Sequence, residues 1–186
     1  MTMLQVLAAR QAGAMMLSSH GLWPSHAQVT RGEVSVAGQP LSKLARAHGT
    51  PLVRIGPPAD ARTTPSSSER QVTALVTAIE RVDRDSHGRL HQIWVDANLG
   101  GCHPRLGETR LIGRRSASRR RRVSLCPEAP TAIGKSLVRL PTDLRVGDLL
   151  AIPCEGAVAL VDVRPMIGAR PQEGPDSLSS VPHCLK

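Results

Sequence analysis

The residues best equipped for chemistry are six arginines: Arg114, Arg115, Arg119, Arg120, Arg121 and Arg122. Four of them are adjacent, so their fields add. The chemistry they offer is contact with phosphates or another polyanion. The competing reading is a charged loop that leads into a strand. Aromatic residues interleaved with the basic ones are missing here, and no helix-turn-helix pattern is visible. Non-specific polyanion binding at low salt is therefore expected ahead of sequence-specific nucleic-acid recognition.

Other constellations are weaker. Ala129-Pro130-Thr131-Ala132-Ile133-Gly134-Lys135-Ser136 has the outline of a relaxed Walker A loop. Such a loop must run into a helix whose N-terminus receives the phosphate. Leu137-Val138-Arg139-Leu140-Pro141 follows instead, which reads as strand, so nucleotide binding is not expected. The histidines (His20, His26, His48, His87, His91, His103, His183) form no HExxH or other ligand spacing. Cys102, Cys126, Cys154 and Cys184 contain no CxxC pair, so neither a metal site nor a disulfide framework is expected. No GxSxG elbow occurs, and nothing around Lys43 or Lys135 marks a Schiff-base lysine.

The elements that must position these residues follow from punctuation and periodicity. Glu33–Ala37 alternates like a short strand and turns at Gly38-Gln39-Pro40. Leu41–His48 reads as a two-turn helix with Leu41, Leu44 and Ala45 on one face, stopped by Gly49. Thr50–Ile55 resumes as strand. Residues 56–70 are a Pro/Ser-rich linker by composition. In Val72–Val82 the apolar spacing slightly favours a helix, with Ser68 and Gln71 as a capping box, whereas the β-branched residues favour a strand. Further strands are expected at Leu90–Asp96, Arg122–Cys126, Leu137–Leu140, Asp148–Pro153 and Ala157–Val163. Turns are expected at Asp85–Gly88, Asn98–Gly101, Pro127–Pro130 and Arg145–Asp148. Short strands at this spacing predict a mainly β sandwich or barrel, with one or two short helices near the N-terminus. Residues 1–21 read as a helical or frayed segment, and 166–186 as a flexible tail.

Composition bounds these readings. The chain has 186 residues, with 24 Lys or Arg against 15 Asp or Glu, a net charge of +9. That length suits one ordinary domain and excludes a complete TIM-barrel enzyme of roughly 250 residues. With no Phe, no Tyr and two Trp, the core must be aliphatic and thin, and base stacking is nearly excluded. No apolar run approaches the roughly 18 residues of a membrane-spanning helix. The start makes a poor secretory signal, so a reduced, cytoplasmic protein is expected.

Several segments resemble the pyridoxal-phosphate-dependent diaminopimelate/ornithine decarboxylase family (fold type III), the diaminopimelate decarboxylases most. Leu22-Trp23-Pro24, Gly32–Gly38, Pro40–Ala45 and His48-Gly49-Thr50-Pro51-Leu52 are similar to that family's N-terminal segment. Val72–Asn98 is similar to the first two strands of its C-terminal β domain. Leu140-Pro141 and then Leu144–Pro153, running to Gly156-Ala157-Val158, are similar to the closing strands. The resemblance covers about residues 22–55 and 71–165, and it implies a strand at 72–82. It also implies that residues 56–70 stand where the family carries its TIM barrel, so 22–55 and 71–165 form one β domain.

The same resemblance implies a loss of catalysis. The family's cofactor lysine and glycine-rich phosphate loop belong to the missing barrel. Its catalytic cysteine aligns with Ala129, leaving Cys126 as a slipped candidate, and its cofactor-contacting tyrosine is Val158 here. The chain alone is therefore expected to bind no pyridoxal phosphate and to decarboxylate nothing. An interaction or regulatory module follows, its partner a full-length decarboxylase homologue or a second copy. A split active site is the variant in which Cys126 contributes to a partner. The alternatives are an Arg-rich nucleic-acid-associated protein and a gene remnant without a role.

Overall fold

The computed structural model describes residues 22–58, 71–127 and 136–165. The expectations for 1–21, for most of the 56–70 linker, for the Lys135 loop and for the 166–186 tail lie outside these residues. Three short strands, β1 (Ala27–Thr30), β2 (Glu33–Val36) and β3 (Gln39–Pro40), form an antiparallel meander that leads into helix α1 (Leu41–His48). Then come β4 (Leu52–Gly56), β5 (Val72–Arg84), β6 (Leu90–Val95), β7 (His103–Pro104), β8 (Arg110–Ile112), β9 (Arg120–Pro127), β10 (Ser136–Pro141) and β11 (Leu149–Glu155). They make one eight-stranded sheet, ordered β10-β9-β6-β5-β11-β7, with β4 also on β5 and β8 also on β11. The sheet curls into a half-barrel, and β10 comes round to meet β8 and the 3₁₀ turn Leu106–Glu108. Helix α2 (Leu160–Val163) ends the described chain. The mainly β expectation holds.

Strand β5 organises the sheet because it serves three partners. Its first half pairs with β11 on one edge, from Val72↔Glu155 to Ala78↔Leu149. On the other edge β4 covers Val72 to Val76, and β6 takes over from Ile79. Successive side chains of a strand point to opposite faces. Leu75, Leu150, Ile152 and Leu111 therefore enter the hollow of the half-barrel with Ile93, Leu125 and Val138. Ala74, Val76, Ala151 and Ile112 face the other way, under α1 and the meander, with Trp23, Val34 and Leu41. A strand buried on both faces loses the polar alternation that marks an amphipathic strand. That is why Val72–Val82 also carries a helical stripe, and why its β-branched content is the better guide.

Helix α1 ends where the sequence places its stop. Gly49 has φ +83° and its N–H donates to the Ala45 carbonyl at 2.8 Å. Its N-terminus is held from outside: the Glu33 carboxylate accepts from the Ser42 N–H at 3.3 Å and from the Ser42 hydroxyl.

One expected strand is not formed. Ala157–Val163 turns into α2 instead. Gly156, at φ +77°, ends β11, and the Val158 N–H donates to the Thr73 hydroxyl at 3.0 Å. Asp162 then accepts from the Ala159 N–H, closing a helical turn that seats Val163 in the core. This turn packs tightly on Leu99–Gly101. A Cβ on Gly101 would lie 2.1 Å from the Asp162 carbonyl oxygen. Gly101→Ala is expected to destabilise the fold by about 1–3 kcal/mol, visible as an earlier thermal melt. Gly107→Ala, with open space around its Cβ, is the control.

Candidate functional site

The six arginines are separated by the fold. Arg114 leaves β8 and turns inward, where its guanidinium forks onto Asp148 (Nε–Oδ1 2.7 Å, Nη2–Oδ2 2.6 Å). It also donates to the Asp143 carboxylate at 3.1 Å and the Asp143 carbonyl at 2.8 Å. The Asp148 hydrogen bonds, with help from Asp143, raise its affinity for its proton well above the ordinary arginine range, against the opposing effect of burial. Arg114 is thus committed to holding two loops together. Arg115 is exposed and lines an open cleft of about 550 Å³ with Arg31, Lys43 and Arg46, above Glu33. Arg119 is exposed just before β9, and Arg120, Arg121 and Arg122 form the exposed start of that strand.

Register decides which of these arginines act together. Arg122 lies opposite Arg139 of β10, and Arg120 opposite Pro141. Arg120 and Arg122 share one face of β9, and Arg121 points to the other. Although Arg120 is exposed overall, partial desolvation, then the charges of Arg110 and Arg139, lower its proton affinity, with Glu108 opposing. Arg110 is paired to Glu108 at 2.6 Å, yet its Nε–H is buried without a hydrogen-bond partner among the described residues. Arg120 and Arg122 of β9 thus share the outer face with Arg139 of β10, and Arg110 of β8, the strand that β10 meets, adds its charge to theirs.

The same face continues along β9 to β6, its parallel neighbour. Gln92 lies opposite Ser124 and Trp94 opposite Cys126. The Gln92 amide donates to the Cys126 sulfur at 2.7 Å. Across β6, Arg81 of β5 stacks over the Trp94 indole, its guanidinium carbon 3.4 Å from the ring centroid. The Arg81 side chain stays 60% exposed and pairs loosely with Asp83 at 3.6 Å. Sequence reading missed Arg81, Trp94, Arg110 and Arg139. They sit on four different strands, and only the register brings them onto one face.

The two positions taken from the family resemblance lie apart. Cys126 is half-buried on the outer face, whereas Val158 is 3% exposed inside the half-barrel. Lys43, the one lysine among the described residues, stands exposed on α1. Cys102 and Cys154 are free thiols buried side by side in the core. A hydrogen bond between them pulls the Cys102 thiol down against its burial and pushes Cys154 up. Among the described residues, no group of three or more His, Cys, Asp or Glu could hold a metal ion, and no helix is long and apolar enough to cross a membrane. No family model matches this chain, and no curated protein matches it.

Proposed function

We propose that this chain is a non-catalytic β domain of the type III decarboxylase kind, acting as an interaction module. One observation carries the reading. The two segments that resemble the family, 22–55 and 71–165, share a single sheet through β4 and β5, and Gly56 stands directly opposite Val72. The chain thus leaves and re-enters the sheet at one point. A large domain inserted there, or a short linker in its place, disturbs no other strand. Loop-closure entropy rises only slowly with the length inserted, so either arrangement is tolerated.

With no lysine, cysteine and tyrosine brought together among the described residues, the module alone is expected to decarboxylate nothing. Its partner is a full-length type III decarboxylase, or failing that a second copy. Size-exclusion chromatography with light scattering on the chain mixed with a full-length diaminopimelate decarboxylase is expected to show a complex. Stoichiometric pyridoxal phosphate followed by borohydride is expected to leave no more adduct on the chain alone than the exposed amines of an unrelated protein acquire, by mass spectrometry. Separate elution of the two proteins, with the chain itself monomeric, would sink the proposal. A fall in the partner's activity on Cys126→Ala would replace it with a split active site.

A further inference from the structure

We propose that the outer face of β6, β9 and β10 binds single-stranded nucleic acid, with phosphates on Arg120, Arg122 and Arg139 and a base on the Arg81–Trp94 stack. The inference is independent of any relation to decarboxylases. Three observations carry it. First, where β10 meets β8, the charges of Arg110 and Arg139 act on Arg120, Glu108 is paired with Arg110, and the Arg110 Nε–H is buried without a partner among the described residues. Like charges held together this way are relieved by a bound anion, and an arginine fork suits a phosphate.

Second, Arg122 extends the charge along β9, opposite Arg139. Third, beyond the buried Ser124 the same face carries Trp94 and its covering Arg81. From Arg122 to Cys126, the neighbour of Trp94, β9 rises roughly 13 Å. That distance separates a phosphate site from a base site by a few nucleotides of extended strand. The exposed plane of the Arg81 guanidinium, backed by the indole, is a surface on which a base stacks. A duplex keeps its bases inside and uses only the phosphate part of this face, so the arrangement favours a single strand. It also revises the expectation that scarce aromatics nearly exclude stacking: one of the two tryptophans, Trp94, lies on the charged face.

The test is fluorescence anisotropy of a labelled oligothymidylate with the full chain, across a range of salt, beside the duplex of the same length and heparin. The single strand is expected to bind more tightly than the duplex. Arg120→Gln with Arg139→Gln is expected to weaken binding and to flatten the salt dependence by about 0.7 in log–log slope for each phosphate no longer neutralised. Trp94→Ala is expected to weaken single-strand binding roughly five- to a hundredfold with an unchanged slope. Because a strand tryptophan can matter for folding, unlabelled oligothymidylate is also titrated against wild-type tryptophan fluorescence. Trp23, 2% exposed, is screened from the strand, so a change in emission reports Trp94. Equal affinity for single strand, duplex and heparin with unchanged emission would overturn the proposal in favour of charge alone. Undiminished binding by the double arginine variant would place the site elsewhere.

Discussion

Asp96→Ala is expected to lower the unfolding free energy by about 3–4 kcal/mol. Along one edge of β5, β4 and β6 follow each other, and between them Thr77 and Ala78 have no strand alongside. Asp96, just past β6, fills that gap. Its carboxylate accepts from the Ala78 N–H at 2.8 Å, from the Thr77 hydroxyl at 2.5 Å and from the Thr50 hydroxyl. Its own N–H donates to the Ala78 carbonyl at 3.1 Å. Alanine would keep only the last bond. Thr77 is fully buried, and a buried donor left unsatisfied costs about 1–3 kcal/mol. Asp96→Asn keeps an acceptor oxygen and is expected to lose less than half as much. Chemical denaturation of both variants checks this. Equal stability of Asp96→Ala and wild type would mean that water replaces the carboxylate at no cost.

Arg114→Ala is expected to cost about 2–4 kcal/mol, below the usual loss for a fully buried pair because the Arg114 side chain is 29% exposed. Its fork ties the loop after β8 to the turn between β10 and β11, where Asp143 and Asp148 lie. Without it, Asp148, only 10% exposed, would keep a carboxylate with no guanidinium. Arg114→Lys keeps the charge but loses the fork, and should recover only part of the stability. For a domain of this size the melt should fall by about 2–4 °C for each kcal/mol.

The pH dependence has a definite sign. Partial burial pushes Asp143 up, but hydrogen bonds from Ser116, Arg114 and Ser118, with the Arg114 charge, outweigh it and hold the carboxyl below its ordinary 3.8. A carboxyl whose pKa is lower in the folded state stabilises the fold above its unfolded pKa. That contribution disappears as the pH falls through the depressed folded value. Wild type should lose stability as the pH drops below about 4. Arg114→Ala should show a smaller acid-side loss, and parallel acid melts of the two proteins would contradict the assignment.

Local chemistry wrote much of the secondary structure into the sequence. Leu41–His48 is a helix closed by Gly49 because apolar spacing and a glycine stop are local signals. The turn at Asp85–Gly88 and the strands around Leu90–Val95, Leu137–Leu140 and Leu149–Pro153 follow from alternation between punctuating residues for the same reason. Ala157–Val163 misled because its alternation is strand-like, while Asp162 capping and the Val158–Thr73 bond, a contact across much of the chain, decide for a helix.

The site was much less legible. Six neighbouring arginines look like one patch in sequence. The structure divides them among a structural clamp, an open cleft and two faces of β9, because strand side chains alternate and Arg114 meets two carboxylates from a distant turn. The face that gathers Arg81, Trp94, Arg110, Arg120, Arg122 and Arg139 exists only through the parallel β6–β9 pairing and the curl that brings β10 to β8. Composition and local pattern thus determined a basic, aliphatic, mainly β chain and the placing of most of its strands. Tertiary structure alone decided which charges are neutralised and which converge, because strand register is set by burial across the whole sheet and not by residues adjacent in the chain.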